Sequence, residues 1–164
     1  MLATRVGDLA LDSPLLTASG TFGHDGEAMS FLEPGDLGAL VIKTVTPRPR
    51  PGNPAPRLVE TPCGLMNSIG LENRGVEAFL AEHLAALERV EVPVVANAGG
   101  ETVEEYCAMV EAFGPLAAFA AIDIHLSCPN VQGGSLPFAR SPDALAAVVA
   151  PSPPPPPHPP WSPL

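Results

Sequence analysis

Basic residues are scarce in this chain, which has 8 Lys and Arg residues against 18 Asp and Glu and a net charge of −10 at pH 7. Nucleic acids and anionic membrane surfaces are bound by clusters of Lys and Arg, so the sequence argues against both and favours small molecules or proteins as partners. Long apolar runs are also missing, since none approaches the roughly 18 residues of a membrane span. Asp8 and Asp12 interrupt the stretch where a signal peptide would be apolar. We therefore expect a cytoplasmic protein.

Cysteine is equally sparse. The three cysteines, Cys63, Cys107 and Cys128, are odd in number and show no CxxC spacing. This pattern argues against a disulfide framework and against a zinc site, and we predict no metal centre. The phosphate-binding motifs GxGxxG and GxxxxGK[ST] are absent as well, which removes the main signature of a dinucleotide-binding or P-loop protein.

The composition changes abruptly at residue 150. Residues 151–164 hold nine of the 22 prolines and no charged side chain, so they cannot build a core. Residues 1–150 are rich in Ala, Leu, Val and Gly and can bury one. We predict one globular unit over 1–150 and a disordered Pro-rich tail over 151–164. A frameshift or mispredicted gene end would explain the tail, and selection as a PxxP ligand is the alternative.

Strand and helix patterns alternate along residues 1–150. After a predicted hairpin at 3–11, short apolar runs predict buried parallel strands, and apolar residues at a 3.6-residue period predict helices. A long Pro-rich loop is predicted over 46–73. The series indicates an α/β fold, either a doubly wound sheet or a (β/α)8 barrel. The predicted strands are 15–17, 39–43, 92–97 and 120–126, and the predicted helices are 76–87, 102–113 and 144–150.

Two reactive side chains follow predicted strands. Lys43 is the only lysine against seven arginines, which indicates a specific need for a compact cation; the alternative is a strand-end lysine that extends to solvent. Cys128 follows the fourth strand, where a thiol can accept a proton; the alternative is a buried structural cysteine.

Asn67, Asn97 and Asn130 lie in Gly or Pro contexts. Each amide offers a donor and an acceptor and suits a ligand with amide and carbonyl edges, although any one alone is more often a turn residue. His125 could be a metal ligand or a general base. Because no second His or carboxylate stands at ligand spacing, we favour a strand histidine whose hydrogen bonds are satisfied.

Five segments of the chain resemble one enzyme family. In order and spacing, across residues 1 to about 150, they are similar to class 1 dihydroorotate dehydrogenases. The sequence of 60–71 is more similar to subclass 1B than to the fumarate-reducing subclass 1A. In subclass 1B the flavin subunit passes electrons to NAD through a partner subunit, an iron-sulfur flavoprotein that contains FAD. The segments are 18–23, 41–44, 52–57, 60–71 and 126–130.

The resemblance implies an FMN-dependent (β/α)8 TIM barrel, of which this chain holds about the first four βα units, and a homo-oligomer. It implies the oxidation of dihydroorotate to orotate in pyrimidine biosynthesis, in which Cys128 takes the C5 proton while a hydride passes from C6 to the flavin. The residues implied to contact FMN are Ser19, Lys43, Thr44, Asn97 and His125. Those implied to bind the substrate are Lys43, Asn67, Ser68, Ile69, Gly70, Leu71, His125 and Asn130.

Two departures from the family pattern stand out. His125 occupies a position where the family usually has Asn, and an imidazole differs from an amide in shape and titration. The chain also lacks the loops after strands 7 and 8, which usually bind the cofactor phosphate in such barrels, so we expect the 164-residue chain to be inactive alone. The alternatives are another FMN barrel that acts on a pyrimidine-like ring, or a catalytically inactive fragment whose tail recruits a partner.

Overall fold

The structure is a computed structural model that describes residues 2–25, 31, 36–126, 138 and 141–149. Within these residues, none of the helices is both long and apolar enough to cross a membrane. In chain order the elements are β1 (Thr4–Val6), β2 (Leu9–Leu11), β3 (Leu40–Val41), β4 (Leu58–Thr61), β5 (Gly64–Asn67), α1 (Gly75–Leu87), β6 (Val94–Gly99), α2 (Val103–Phe113), β7 (Ala121–His125) and α3 (Pro142–Val149).

A parallel sheet forms the centre of the described chain. Its strands lie in the order β3, β6, β7, and a parallel bridge from Leu16 to Ala39 adds the segment before β3 on the outer side. Each strand therefore lies beside its predecessor in the parallel sheet, with no reversal among these strands, whereas a doubly wound sheet reverses at its switch point. The predicted α/β class with parallel strands is confirmed, and a sequential strand order occurs in βα barrels.

The helices cover one face of this sheet. Three aromatic rings join them to it, since Phe79 of α1 and Phe119 each lie within 6 Å of Phe113 of α2 between ring centroids, at 5.8 and 5.1 Å. α2 begins as predicted, with the Thr102 hydroxyl accepting a hydrogen bond from the Glu105 N–H. The buried apolar residues of this core are Leu40, Ile42, Val45, Phe79, Leu87, Val92, Val94, Ala96, Ala98, Met109, Phe113 and Phe119.

The strand predicted over 39–43 is interrupted by a bulge. Val41 pairs with Val95, and the next bridge joins Val45 to Ala98, so four steps along one strand match three along the other. Val45 nevertheless returns to the same core as Leu40 and Ile42. One extra residue is thus accommodated between them, which is how a β-bulge redirects side chains at a sheet edge. Lys43 and Thr44 lie between the two bridges, so their side chains do not follow the regular alternation of a strand.

The predicted loop over 46–73 is wrong in part, because it contains the antiparallel hairpin formed by β4 and β5. The apolar side chains of this hairpin do not face a core, so they lack the sequence pattern of a buried strand. Four of them are more than half exposed: Leu58, Val59, Leu65 and Met66. By contrast, the hairpin predicted near the N-terminus is confirmed by the pairing of β1 with β2, with Gly7 at positive φ in its turn.

Candidate functional site

The polar side chains of β6 and β7 lie on the sheet face away from the helices. Ala96 and Ala98 of β6 and Ile124 of β7 belong to or pack against the helix-facing core. Because side chains alternate along a strand, Asn97, and likewise His125, must lie on the other face, close to the carboxyl ends of their strands. This is the edge at which parallel α/β proteins bind their ligands.

Asn97 is the best-defined residue of this face. It is completely buried, and its Nδ2 donates a 2.5 Å hydrogen bond to Oδ2 of Asp123, its register partner on β7. Its Oδ1 is enclosed and has no hydrogen-bond partner among the described residues. An unsatisfied buried carbonyl costs about 1–3 kcal/mol. The site therefore presents an acceptor that a ligand with an N–H group can satisfy.

His125 presents a second unsatisfied atom. Its Nε2 is enclosed and makes no hydrogen bond to the part of the chain that the structure describes. Burial lowers the pKa of His125 below its usual value, while the Asp123 carboxylate opposes that change. Burial therefore favours the neutral imidazole, which carries one N–H donor and one acceptor nitrogen, so Nε2 can serve as either.

The predicted hydrogen-bond satisfaction of His125 is not seen within the described residues, because its Nε2 has no partner there. Asp123 lies two residues earlier on the same strand, and therefore on the same face. The alternation in 121–125 is the sequence signal that places Asp123 and His125 on one face. No group of three His, Cys, Asp or Glu side chains within the described ranges is placed to hold a metal ion.

The bulge brings three further predicted residues to the same edge. The Ser19 hydroxyl lies 3.3 Å from that of Thr44, and the backbone N–H of Lys43 donates to the carbonyl of Gly23 at 2.9 Å. Gly99 permits this approach, since a Cβ there would lie 2.7 Å from the Thr44 methyl carbon. The structure thus places Ser19, Lys43 and Thr44 where the loop after the Leu16 bridge meets the end of β3.

The predicted substrate segment 68–71 is a turn fixed by the loop before the β4–β5 hairpin. Asn53 donates from Nδ2 to the carbonyl and hydroxyl oxygens of Ser68 and from its backbone N–H to the Ile69 carbonyl. Gly70 has φ +76°, and a Cβ there would lie 2.8 Å from the Asn53 side chain. Leu71 also adopts a positive φ, of 56°. The backbone of this turn is therefore tightly defined.

Asn67 is exposed at the end of β5, and no side-chain hydrogen bond holds it within the described residues. The predicted residues Cys128 and Asn130 lie outside the described residues. The structure therefore places the residues predicted to contact FMN near the carboxyl edge of the sheet and leaves the Asn67 side chain exposed.

These residues fit a flavin. The pyrimidine edge of an isoalloxazine ring alternates carbonyl acceptors with an N–H donor, so the unsatisfied Oδ1 of Asn97 can accept from that N–H, and the Ser19 and Thr44 hydroxyls are possible donors. Lys43 lines a cavity with His24 and with Phe79 and His83 of α1. The Asn97, Ser19 and Thr44 groups lie at the carboxyl edge of the strands, where parallel α/β proteins bind their ligands.

Comparison with known proteins identifies the family. The sequence model of the dihydroorotate dehydrogenase family matches residues 1–151, and the chain belongs to that family. It is 46% identical over 147 residues to the dihydroorotate dehydrogenase B (NAD(+)) catalytic subunit of Desulforudis audaxviator, covering 90% of this chain and 48% of that protein. The catalytic subunit of the same name from Geotalea daltonii is 42% identical over 148 residues, covering 90% and 48%. The chain thus spans about half the length of the curated relatives it matches.

Solved structures show the same fold. The dihydroorotate dehydrogenase of Eimeria tenella in complex with ferulenol superposes with a TM-score of 0.71 at 23% identity, over 91% of this chain and 42% of that one. The ligand-free form gives a TM-score of 0.72 at 22% identity, over 91% and 44%.

Proposed function

We propose that this chain is the N-terminal part of a type B dihydroorotate dehydrogenase catalytic subunit, which oxidises dihydroorotate to orotate in pyrimidine biosynthesis with FMN as cofactor. The family is FMN-dependent. The observation that carries the proposal is the fully buried Asn97, whose Oδ1 lacks a partner in the described chain on the ligand-binding edge of the sheet. A side chain placed in this way is costly unless a ligand completes its hydrogen bonds.

The fold proposed for the whole protein is a (β/α)8 barrel. Its support is the sequential strand order, together with the likeness to the Eimeria tenella structures. Residues 1–150 would supply about the first four βα units, while residues 151–164, the predicted Pro-rich tail, lie outside the described residues. The family match extends to residue 151, beside the boundary that the composition predicts.

FMN, when bound, would supply the hydride acceptor for the oxidation of dihydroorotate. Asn97 and His125 would hold the ring edge, and Ser19 and Thr44 would flank it from β3. The Lys43 ammonium would lie beside the flavin and the anionic substrate, as a compact cation can. The segment 68–71, with its backbone fixed by Asn53, would offer the N–H groups of residues 69–71 to the substrate, since the Ser68 N–H already donates to the Arg57 carbonyl.

Cys128 is the proposed base for the C5 proton, and Asn130, like Asn67, would bind the substrate through its amide. His125 would not compete with the thiol for that proton, because the Nε2 of His125 would be hydrogen-bonded to the ligand.

For the subunit as a whole we further propose a cytoplasmic location, a homo-oligomer, and a separate iron-sulfur subunit with FAD that passes electrons to NAD. The type B relatives are named catalytic subunits, which supports such a division.

The experiment is a chimera in which residues 1–150 of this chain are followed by the remaining part of the Desulforudis audaxviator relative. We expect it to purify with FMN and to show flavin bleaching when dihydroorotate is added without oxygen. Cys128→Ala should slow this single-turnover reduction by at least about 100-fold, as expected for loss of a general base, and should leave FMN content unchanged.

Cys63→Ala is the matched control, since Cys63 is an exposed cysteine on the β4–β5 turn. Flavin reduction as fast in Cys128→Ala as in the chimera would refute the assignment of the base. A chimera that folds and binds FMN but reduces none of it with dihydroorotate would refute the proposed substrate. The 164-residue chain should bind FMN weakly in a flavin titration, because it lacks the phosphate-binding loops expected after strands 7 and 8.

A further inference from the structure

Tyr106 joins helix α2 to the last residue of β7. The side chain is completely buried, and its hydroxyl donates a 2.9 Å hydrogen bond to the backbone carbonyl of His125. α2 packs against both β6 and β7, so the contact reaches across the helix-facing side of the sheet. The imidazole of His125, by strand alternation, lies on the opposite side.

This hydrogen bond fixes the backbone from which the imidazole projects. His125 ends β7, where the strand ladder no longer continues and a carbonyl needs a partner from elsewhere. Because the Tyr106 hydroxyl supplies that partner, the orientation of the peptide after His125 is set by a side chain of α2 rather than by the sheet.

The phenol itself is held at a second point. Its ring meets that of Phe138 edge to face, with centroids 5.8 Å apart and an interplanar angle of 87°, a favourable aromatic geometry. Phe138 lies 13 positions after His125 in the chain. The hydroxyl is therefore presented to the His125 carbonyl by a ring that is anchored on both sides.

We propose that Tyr106 is a positioning residue. It holds the imidazole of His125 in the orientation where the enclosed Nε2 meets the ligand on the sheet face away from the helices. The identity of that ligand rests on the proposed function, but the coupling of Tyr106 to His125 does not. Asp123 is the charged group that shares the face with His125, and Asn97 lies between them and β3.

The first test uses nuclear magnetic resonance on the 164-residue chain. The chain has four histidines, so the imidazole signal of His125 can be assigned as the one that disappears in His125→Gln. In Tyr106→Phe, which removes only the hydroxyl, we expect the pKa of His125 to move upward toward its usual value. The reason is that a less tightly held imidazole becomes better solvated.

Thr17→Val is the matched control. The Thr17 hydroxyl is also buried, and it donates to the Val41 carbonyl and accepts from the Val41 N–H. The substitution therefore removes buried hydrogen bonds of similar strength at the other side of the sheet, and it should leave the His125 titration unchanged. An unchanged His125 titration in folded Tyr106→Phe, or an equal change in Thr17→Val, would overturn the proposal.

A second measurement keeps the hydroxyl in place. Tyr106 is the only tyrosine in the chain, so biosynthetic incorporation of 3-fluorotyrosine labels this residue alone. We expect its fluorine signal to shift as His125 titrates and to lose that inflection in His125→Gln. A fluorine signal that shows the same titration with and without His125 contradicts the coupling, even if Tyr106→Phe fails to fold.

The consequence for the ligand is measured in the chimera described above. Loss of one buried hydrogen bond in Tyr106→Phe should raise the KM for dihydroorotate about 3- to 10-fold, with a smaller change in kcat. An inactive parent chimera would count against the proposed function alone, since the two magnetic-resonance tests use neither flavin nor substrate. An active chimera whose KM is unaffected by Tyr106→Phe would overturn the positioning role.

Discussion

Replacing His24 by phenylalanine should remove a large part of the acid sensitivity of this protein. The His24 ring is half-buried between Phe79 and His83, at centroid distances of 5.4 and 5.2 Å, and its Nδ1 is enclosed without a hydrogen-bond partner in the described chain. Burial, followed by the positive charges of His83 and Lys43, lowers the pKa of His24 from 6.5 to about 4, while Asp25 opposes the change.

The sign of the effect follows from proton linkage. The unfolded chain binds a proton at His24 below a pH of about 6.5, whereas the folded chain resists it until a pH of about 4. Stability therefore falls as the pH falls through this interval, by at most about 1.4 kcal/mol per pH unit. At about pH 5 the loss amounts to about 2 kcal/mol, and partial exposure of the ring reduces it toward about 1 kcal/mol.

Urea unfolding of the chimera and of its His24→Phe variant measures this loss. The two proteins are compared at about pH 8, where histidine is neutral in both states, and at about pH 5. We expect the variant to lose about 1–2 kcal/mol less than the parent between these conditions, because phenylalanine keeps the ring packing and cannot be protonated. Carboxylates and His125 titrate in both proteins and cancel from the comparison. Equal losses in the two proteins would refute the reasoning.

Three further substitutions test the packing and the site. Gly75→Ala should destabilise the protein by at least about 2 kcal/mol in urea unfolding, because Gly75 has φ +81° and a Cβ would lie 2.9 Å from the Pro49 nitrogen; a neutral result would contradict that geometry. Phe113→Ala should cost about 3–5 kcal/mol by the same measurement, since the ring is fully buried, and a loss below about 1 kcal/mol would show that the core can collapse around the gap. Lys43→Arg should lower the FMN content and turnover of the chimera despite its conserved charge, whereas Arg89→Lys, on an exposed residue, should not. Normal flavin content in Lys43→Arg would favour the alternative interpretation, in which Lys43 is a strand-end lysine that extends to solvent.

The positions of the helices and of the strand-end residues could be read from the sequence. The apolar period in 76–87 and 103–113 is a local property, and both helices form within one residue of the predicted bounds. The same holds for Asn97 and His125, because a polar residue near the end of an apolar strand lies at the carboxyl edge of a parallel sheet whatever the strand order. Fold class and ligand edge were therefore determined by patterns a few residues long.

Strand order, the bulge and the partners of the site residues were decided only by the tertiary structure. The bulge at Lys43 and Thr44 arises from the register between β3 and β6, which are separated by more than 50 residues. The contact of Asn97 with Asp123, like that of Tyr106 with His125, depends on which strand and helix pack side by side. No local pattern encodes such pairings, because their free energy comes from burying groups that are distant in sequence.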